Sequence, residues 1–178
     1  MRVVVTGPEC TGKTTLAQGL AAELGVPWVP EAARVYVERS GRPGSELTLA
    51  DVDPIARLHV SLTDEAAATG SAAEPASLVL DTDLISTVVY SRDYYGTVSS
   101  WIVDAARERR GDLYLLCAPD LPWTPDGVRD RPVRRDEMFG RFRDALAEFG
   151  AAVSEVRGTG ADRLRAAQAA VTAARTHL

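Results

Sequence analysis

The sequence predicts a single α/β domain, residues 1–178, whose parallel sheet carries a phosphate-binding loop at the end of its first strand. Five short apolar segments alternate with stretches of helical spacing, and no internal repeat is present. That alternation is the pattern of a layered fold with parallel strands. Gly7-Pro8-Glu9-Cys10-Thr11-Gly12-Lys13-Thr14-Thr15 fits G-x-x-x-x-G-K-[ST]. The apolar run Val3–Thr6 precedes it and a helical pattern through Leu24 follows, the strand–loop–helix context in which this motif is a phosphate site.

The glycines let the loop backbone approach phosphate oxygens closely. The helix opening at Lys13 offers the same anion its unpaired N–H groups and positive dipole end. Lys13 reaches the β- and γ-phosphates of ATP, and the Thr14 hydroxyl is a ligand for Mg²⁺. Of the 20 basic residues, 19 are arginine, and the single lysine is Lys13. A compact ammonium has been kept at the one place where a broad guanidinium fork does not fit.

Gly25-Val26-Pro27 ends the first helix, and Trp28-Val29 is a short second strand. A helix then starts near Pro30 and Glu31 and runs to Arg39. A longer one extends from Thr48 to about Thr69, with Thr48 capping it three residues before Asp51. Leu78–Asp83 reads as a buried strand ending in two carboxylates, Asp81 and Asp83, on one side of the strand. A helix follows from Leu84 to Tyr90 or Asp93, broken at Tyr94-Tyr95-Gly96. Helix Ser100–Arg109, strand Asp112–Cys117, helix Met138–Phe149, strand Ala152–Val156 and helix Ala161–Thr176 complete the chain.

Ligands of such sheets sit beyond the carboxyl ends of the strands. The phosphate loop, Glu31, Asp81 and Asp83 all lie there. Asp81 is placed to hold Mg²⁺. Asp83 either orients an acceptor hydroxyl or caps the helix at Leu84, and Glu31 is the other candidate base. Arg34, one turn on, clamps Glu31 or a substrate. The segment 119–136 holds four prolines, and Arg129, Arg131, Arg134 and Arg135 fall within seven residues of it. In an anionic chain this reads as an arginine lid that closes on the transferring phosphoryl group, with Arg129 foremost. Gly158 and Thr159 follow the last strand where adenine sits in related folds.

Composition bounds the function. Apolar content of 46% and charged content of 25% suit a soluble globular protein. A net charge of −5 argues against a nucleic-acid partner. No apolar stretch is long enough to span a membrane, and the start is too short for a secretory signal. Cys10 and Cys117 read as reduced thiols, and His59 and His177 give no zinc cluster. A cytoplasmic protein is expected.

Gly7-Pro8-Glu9-x-Thr11-Gly12-Lys13-Thr14-Thr15, Pro30-Glu31-x-Ala33-Arg34, Asp81-Thr82-Asp83 and Pro122-Trp123-x-x-Asp126-Gly127-x-Arg129 occur in that order. Together they resemble the nicotinamide riboside kinase domain of the NadR-type bacterial NAD-biosynthesis proteins, over nearly the whole chain. The resemblance implies a three-layer P-loop fold with strand order 2-3-1-4-5. It also implies ATP- and Mg²⁺-dependent phosphorylation of the 5′-hydroxyl of nicotinamide riboside. The adenylyltransferase and DNA-binding portions of the multidomain relatives are expected to be absent. Many relatives carry Tyr at the position of Ala32, Glu at that of Val35, and an aromatic near Pro30. Trp28, Tyr36 or Trp123 are the aromatics here that would stack on the pyridinium ring. Two rival readings are a kinase for another nucleoside or small alcohol, and a regulatory ATP-binding switch.

Overall fold

The valine run at the start of the chain forms the central strand, β1 (Arg2–Thr6). In a computed structural model, which describes residues 1–69, 77–122 and 134–176, its neighbours are β3 (Leu78–Asp81) and β4 (Leu113–Cys117). The edges are β2 (Trp28–Val29) and β5 (Val153–Val156). The order is 2-3-1-4-5 and every pairing is parallel, as the resemblance implied.

Strand alternation sorts the side chains into two cores. Val4, Leu78, Leu80, Tyr114 and Leu116 pack beneath α3 (Leu49–Ala67), α4 (Leu84–Tyr95), α5 (Ser100–Glu108) and α6 (Arg135–Glu148). Val3, Val5, Val79, Leu113 and Leu115 pack against α1 (Lys13–Leu24) and α7 (Gly160–Arg175). The result is helix, sheet, helix. Fully buried Leu20, Leu116 and Phe142 each contribute roughly 1.5–3 kcal/mol by leaving water. The remaining helix, α2 (Ala32–Ser40), rests on α3 through Ala32, Ala33 and Ile55.

Three boundaries differ from the sequence reading, each for a local reason. β3 stops at Asp81 because Thr82 takes φ 68, a left-handed conformation that ends the pleat. Asp83 therefore lies off the strand, and the two aspartates do not share a strand face. α4 runs through Tyr94 and Tyr95 and ends only at Gly96, φ 71. α6 begins at Arg135, where Asp136 and Glu137 complement the dipole in its first turn.

The cap of α3 is as the sequence indicated. Asp51 Oδ2 accepts the Thr48 amide at 2.8 Å and the Thr48 hydroxyl at 2.9 Å. Its Oδ1 accepts the Tyr36 hydroxyl at 2.8 Å and Arg42 at 2.6 Å. Burial pushes this carboxyl up, but the four donors outweigh it and hold Asp51 down at about 2. Asp51→Ala is expected to cost about 2 kcal/mol through the lost cap and orphaned donors. Thermal unfolding should show a drop of about 4–8 °C, and an unchanged midpoint would refute the assignment.

Candidate active site

The phosphate loop is fixed by close packing against the end of β4. Gly7 has φ 130, and a Cβ there would stand 2.8 Å from the Cys117 carbonyl oxygen, a contact only glycine avoids. Gly12, φ 72, is the N-cap of α1. The Thr11 hydroxyl donates to the Pro8 carbonyl at 2.9 Å and the Lys13 ammonium to the same oxygen at 2.7 Å. The loop thus holds its lysine along its own rim. Thr15 is exposed and Cys10 half-buried. Burial pushes the Cys117 thiol up to about 11, which leaves it unreactive.

Thr14 and Asp81 meet directly. The Thr14 hydroxyl donates to Asp81 Oδ2 at 2.6 Å, whereas Asp81 Oδ1 is buried with no hydrogen-bond partner among the described residues. Burial, and then the neighbouring Glu31 carboxylate, raise Asp81 above its ordinary value; Lys13 lowers it. A buried carboxylate with an orphaned oxygen beside a hydroxyl suits a hard cation such as Mg²⁺, which takes few protein ligands and completes its shell with phosphates and water.

Beside the loop lies a cavity of about 500 Å³. Glu31, the N-cap of α2, stands at it, as do Thr82 and Asp83. One face of α4 supplies Ser86, Tyr90, Tyr94 and Tyr95, and α3 supplies Val52, Ile55 and His59. Tyr90 and Tyr94 stack at 6.1 Å between centroids, and Phe142 meets Tyr90 edge-on at 5.4 Å. The Tyr94 hydroxyl donates to Glu9 of the phosphate loop at 3.0 Å, so loop and cavity share a wall.

The two candidate bases have different neighbours. Glu31 accepts Arg34 Nε at 3.0 Å and stands close enough to Asp81 to raise its pKa. Asp83 caps α4, its Oδ1 accepting the Ile85 and Ser86 amides at 3.0 and 3.2 Å. Its Oδ2 accepts the Tyr114 hydroxyl at 2.6 Å. Burial pushes Asp83 up to about 6, against the pull of these three donors. Burial, and then Asp83, raise Tyr114 in turn.

That shift has a measurable sign. The folded state binds the Asp83 proton more tightly than the unfolded chain, so this group's contribution to stability falls as pH rises from about 4 to about 6. Asp83→Asn keeps the cap and removes the titration. The midpoint of the variant relative to the parent should therefore rise by several degrees between pH 4 and pH 8, equivalent to on the order of 3 kcal/mol. A difference that is flat with pH would contradict a titrating Asp83.

Of the other sequence candidates, Tyr36 is not among the lining residues but packs against Ala32, Ala33 and Ile55, which are, and its hydroxyl donates to Asp51. Trp28 packs with the α1 and α7 core on the opposite face. Arg134 bonds Asp93 at 2.9 Å and Glu137 at 2.9 and 3.0 Å. Arg135 donates to the carbonyls of Pro119 and Leu121. Gly158 and Thr159 form the turn before α7. Trp123, Arg129, Arg131 and most of the expected lid lie outside the described residues.

His59 lines the cavity, and its Nε2 meets the Thr63 hydroxyl at 3.3 Å. Burial and then the Arg109 cation push it down to about 4, so it is neutral near pH 7. The tyrosine face of α4 and a buried arginine in α7, Arg163, are site features that the sequence reading did not single out. Among the described residues no helix is long and apolar enough to cross a membrane, and no cluster of three metal-ligating side chains occurs.

Comparison with known proteins agrees with this fold. An AAA domain family model, AAA_28, matches residues 2–163. The trifunctional NAD biosynthesis/regulator protein NadR of Escherichia coli K12 is 31% identical over 149 residues, which are 83% of this chain and 35% of that protein. Its Salmonella typhimurium counterpart gives the same identity and coverage. The chain therefore spans about a third of the length of the curated relatives it matches. A crystal structure of NadR protein in complex with NR superposes with a TM-score of 0.81 at 27% identity, covering 97% of this chain and 50% of that one. Another, in complex with NAD and AMP-PNP, gives 0.75 at 26%, covering 98% and 49%.

Proposed function

Because the chain belongs to this AAA domain family and has the fold of P-loop small-molecule kinases, we propose that it transfers the γ-phosphoryl group of ATP to the 5′-hydroxyl of nicotinamide riboside, giving the mononucleotide. The observation that carries the reading is the cavity beside the phosphate loop. Its lining holds two carboxylates and three tyrosines and, among the described residues, no lysine or arginine. That chemistry suits a flat, cationic base on an unphosphorylated sugar: tyrosine faces attract a pyridinium ring, and among the described lining residues no lysine or arginine is placed to receive an acceptor that already bears phosphate. The NadR structure with NR, read as nicotinamide riboside, and that with AMP-PNP support the same pairing of ligands.

The roles follow from position. Lys13 and the amides at the start of α1 meet the phosphates. Thr14 and Asp81 are the residues that would hold Mg²⁺, which when bound neutralises charge on the β- and γ-phosphates. Glu31, near Asp81 and facing the cavity, orients the acceptor hydroxyl and takes its proton. Asp83, with both oxygens engaged, fixes the start of α4 and hence the tyrosine wall.

The test is ADP release with ATP and a panel of nicotinamide riboside, uridine, deoxyadenosine and shikimate. Nicotinamide riboside should lead in kcat/KM by about tenfold or more. Turnover of another nucleoside alone would assign a different acceptor. ATP hydrolysis with no acceptor dependence would favour the regulatory switch.

A further inference from the structure

Arg163 is only 3% exposed, though it carries a charge and sits in the first turn of α7. A cation there opposes the helix dipole, and a buried guanidinium is costly unless its N–H groups are satisfied. Here they are. Nε donates to the Gly158 carbonyl at 2.7 Å, Nη1 to the Thr11 carbonyl, and Nη2 to the Ala118 carbonyl at 3.1 Å and to Asp120. The other Asp120 oxygen accepts the Gly158 amide at 2.8 Å. One side chain thus ties together the phosphate loop after β1, the chain leaving β4, and the turn after β5.

The direction of the bound nucleotide gives this tie a purpose. The acceptor cavity lies among α2, α3 and α4, on the β2–β3 side of the phosphate loop. The γ-phosphate must face it, so the nucleoside end extends the opposite way, over the carboxyl ends of β4 and β5. That path runs past Ala118–Leu121 and Gly158–Gly160, the segments Arg163 joins to Thr11. We propose that Arg163 is a positioning residue that keeps the surface under the nucleoside of ATP in register with the phosphate loop. The inference rests on the proposed kinase reading, with ATP on the phosphate loop and the acceptor in the cavity, and is independent of which acceptor that is.

The test is calorimetry with magnesium, comparing ATP with inorganic tripolyphosphate on the full chain. Arg163→Met is expected to weaken ATP by about 10–100-fold. Tripolyphosphate, which has no nucleoside to place, should weaken by less than about threefold, and Arg163→Lys should restore part of the ATP affinity. A folded Arg163→Met protein that binds ATP within about threefold of the parent overturns the proposal. So does an equal loss for both ligands, the mark of a merely structural role. Should Arg163→Met fail to fold, Arg163→Lys and Asp120→Asn decide: a selective loss for ATP upholds the proposal, and no selective loss overturns it. A parent that binds no ATP overturns the kinase reading together with the proposal, whereas a parent that binds ATP beside unaltered variants overturns the proposal alone.

Discussion

Lys13→Met is expected to lower the turnover of nicotinamide riboside by about 10²–10³-fold or more, the scale for losing one preorganised charge at a transferring group. The chain should still fold. Lys13 touches the rest of the protein chiefly through the Pro8 carbonyl at 2.7 Å, so its removal leaves a loop acceptor to water and deletes a costly buried ammonium. Thermal unfolding should move little while ADP release collapses. Lys13→Arg should fail nearly as badly, because a planar fork replaces a point charge in a loop closed by Gly7 against β4. Residual turnover within about tenfold of the parent would mean that the loop amides alone hold the phosphates.

Glu31→Gln comes second. It keeps the shape of the side chain and removes the proton acceptor, so kcat should fall by about 10²–10⁴-fold while ATP affinity changes by less than about threefold. Its partner Arg34 is half-exposed, and loss of that ion pair costs little by itself. The companion measurement is Asp83→Asn under the same conditions. Three donors already occupy Asp83, so its kcat should fall less than that of Glu31→Gln. The reverse order would exchange the two roles.

How far the site was legible depended on whether its signal was local. The phosphate loop, the strand alternation and the Thr48–Asp51 cap are short-range patterns, and each is visible in a handful of consecutive residues. Strand order is long-range and came from the family resemblance. The tyrosine wall was hidden because Tyr94-Tyr95-Gly96 looks like a stop, when only the glycine ends the helix. Seen as a helix through Tyr95, positions 83, 86, 90 and 94 form one stripe facing the cavity. Asp83 was placed on the strand because alternation cannot anticipate a left-handed Thr82. Arg163 was invisible for a compositional reason: where 19 of 20 basic residues are arginine, no single arginine stands out, and one in an alanine-rich helix reads as solvent-facing.

The carboxylates at the cavity bear on how the proposed reaction cycle would end. Glu31, ion-paired to Arg34, and Asp83 stand at a cavity whose lining holds, among the described residues, no lysine or arginine of its own, a setting suited to an acceptor that carries no phosphate. Were the hydroxyl to become a phosphate monoester, about two negative charges would stand before those carboxylates. Under the proposed function, electrostatic repulsion would then favour departure of the product, so that the features selecting the incoming alcohol would also clear the cavity for the next one.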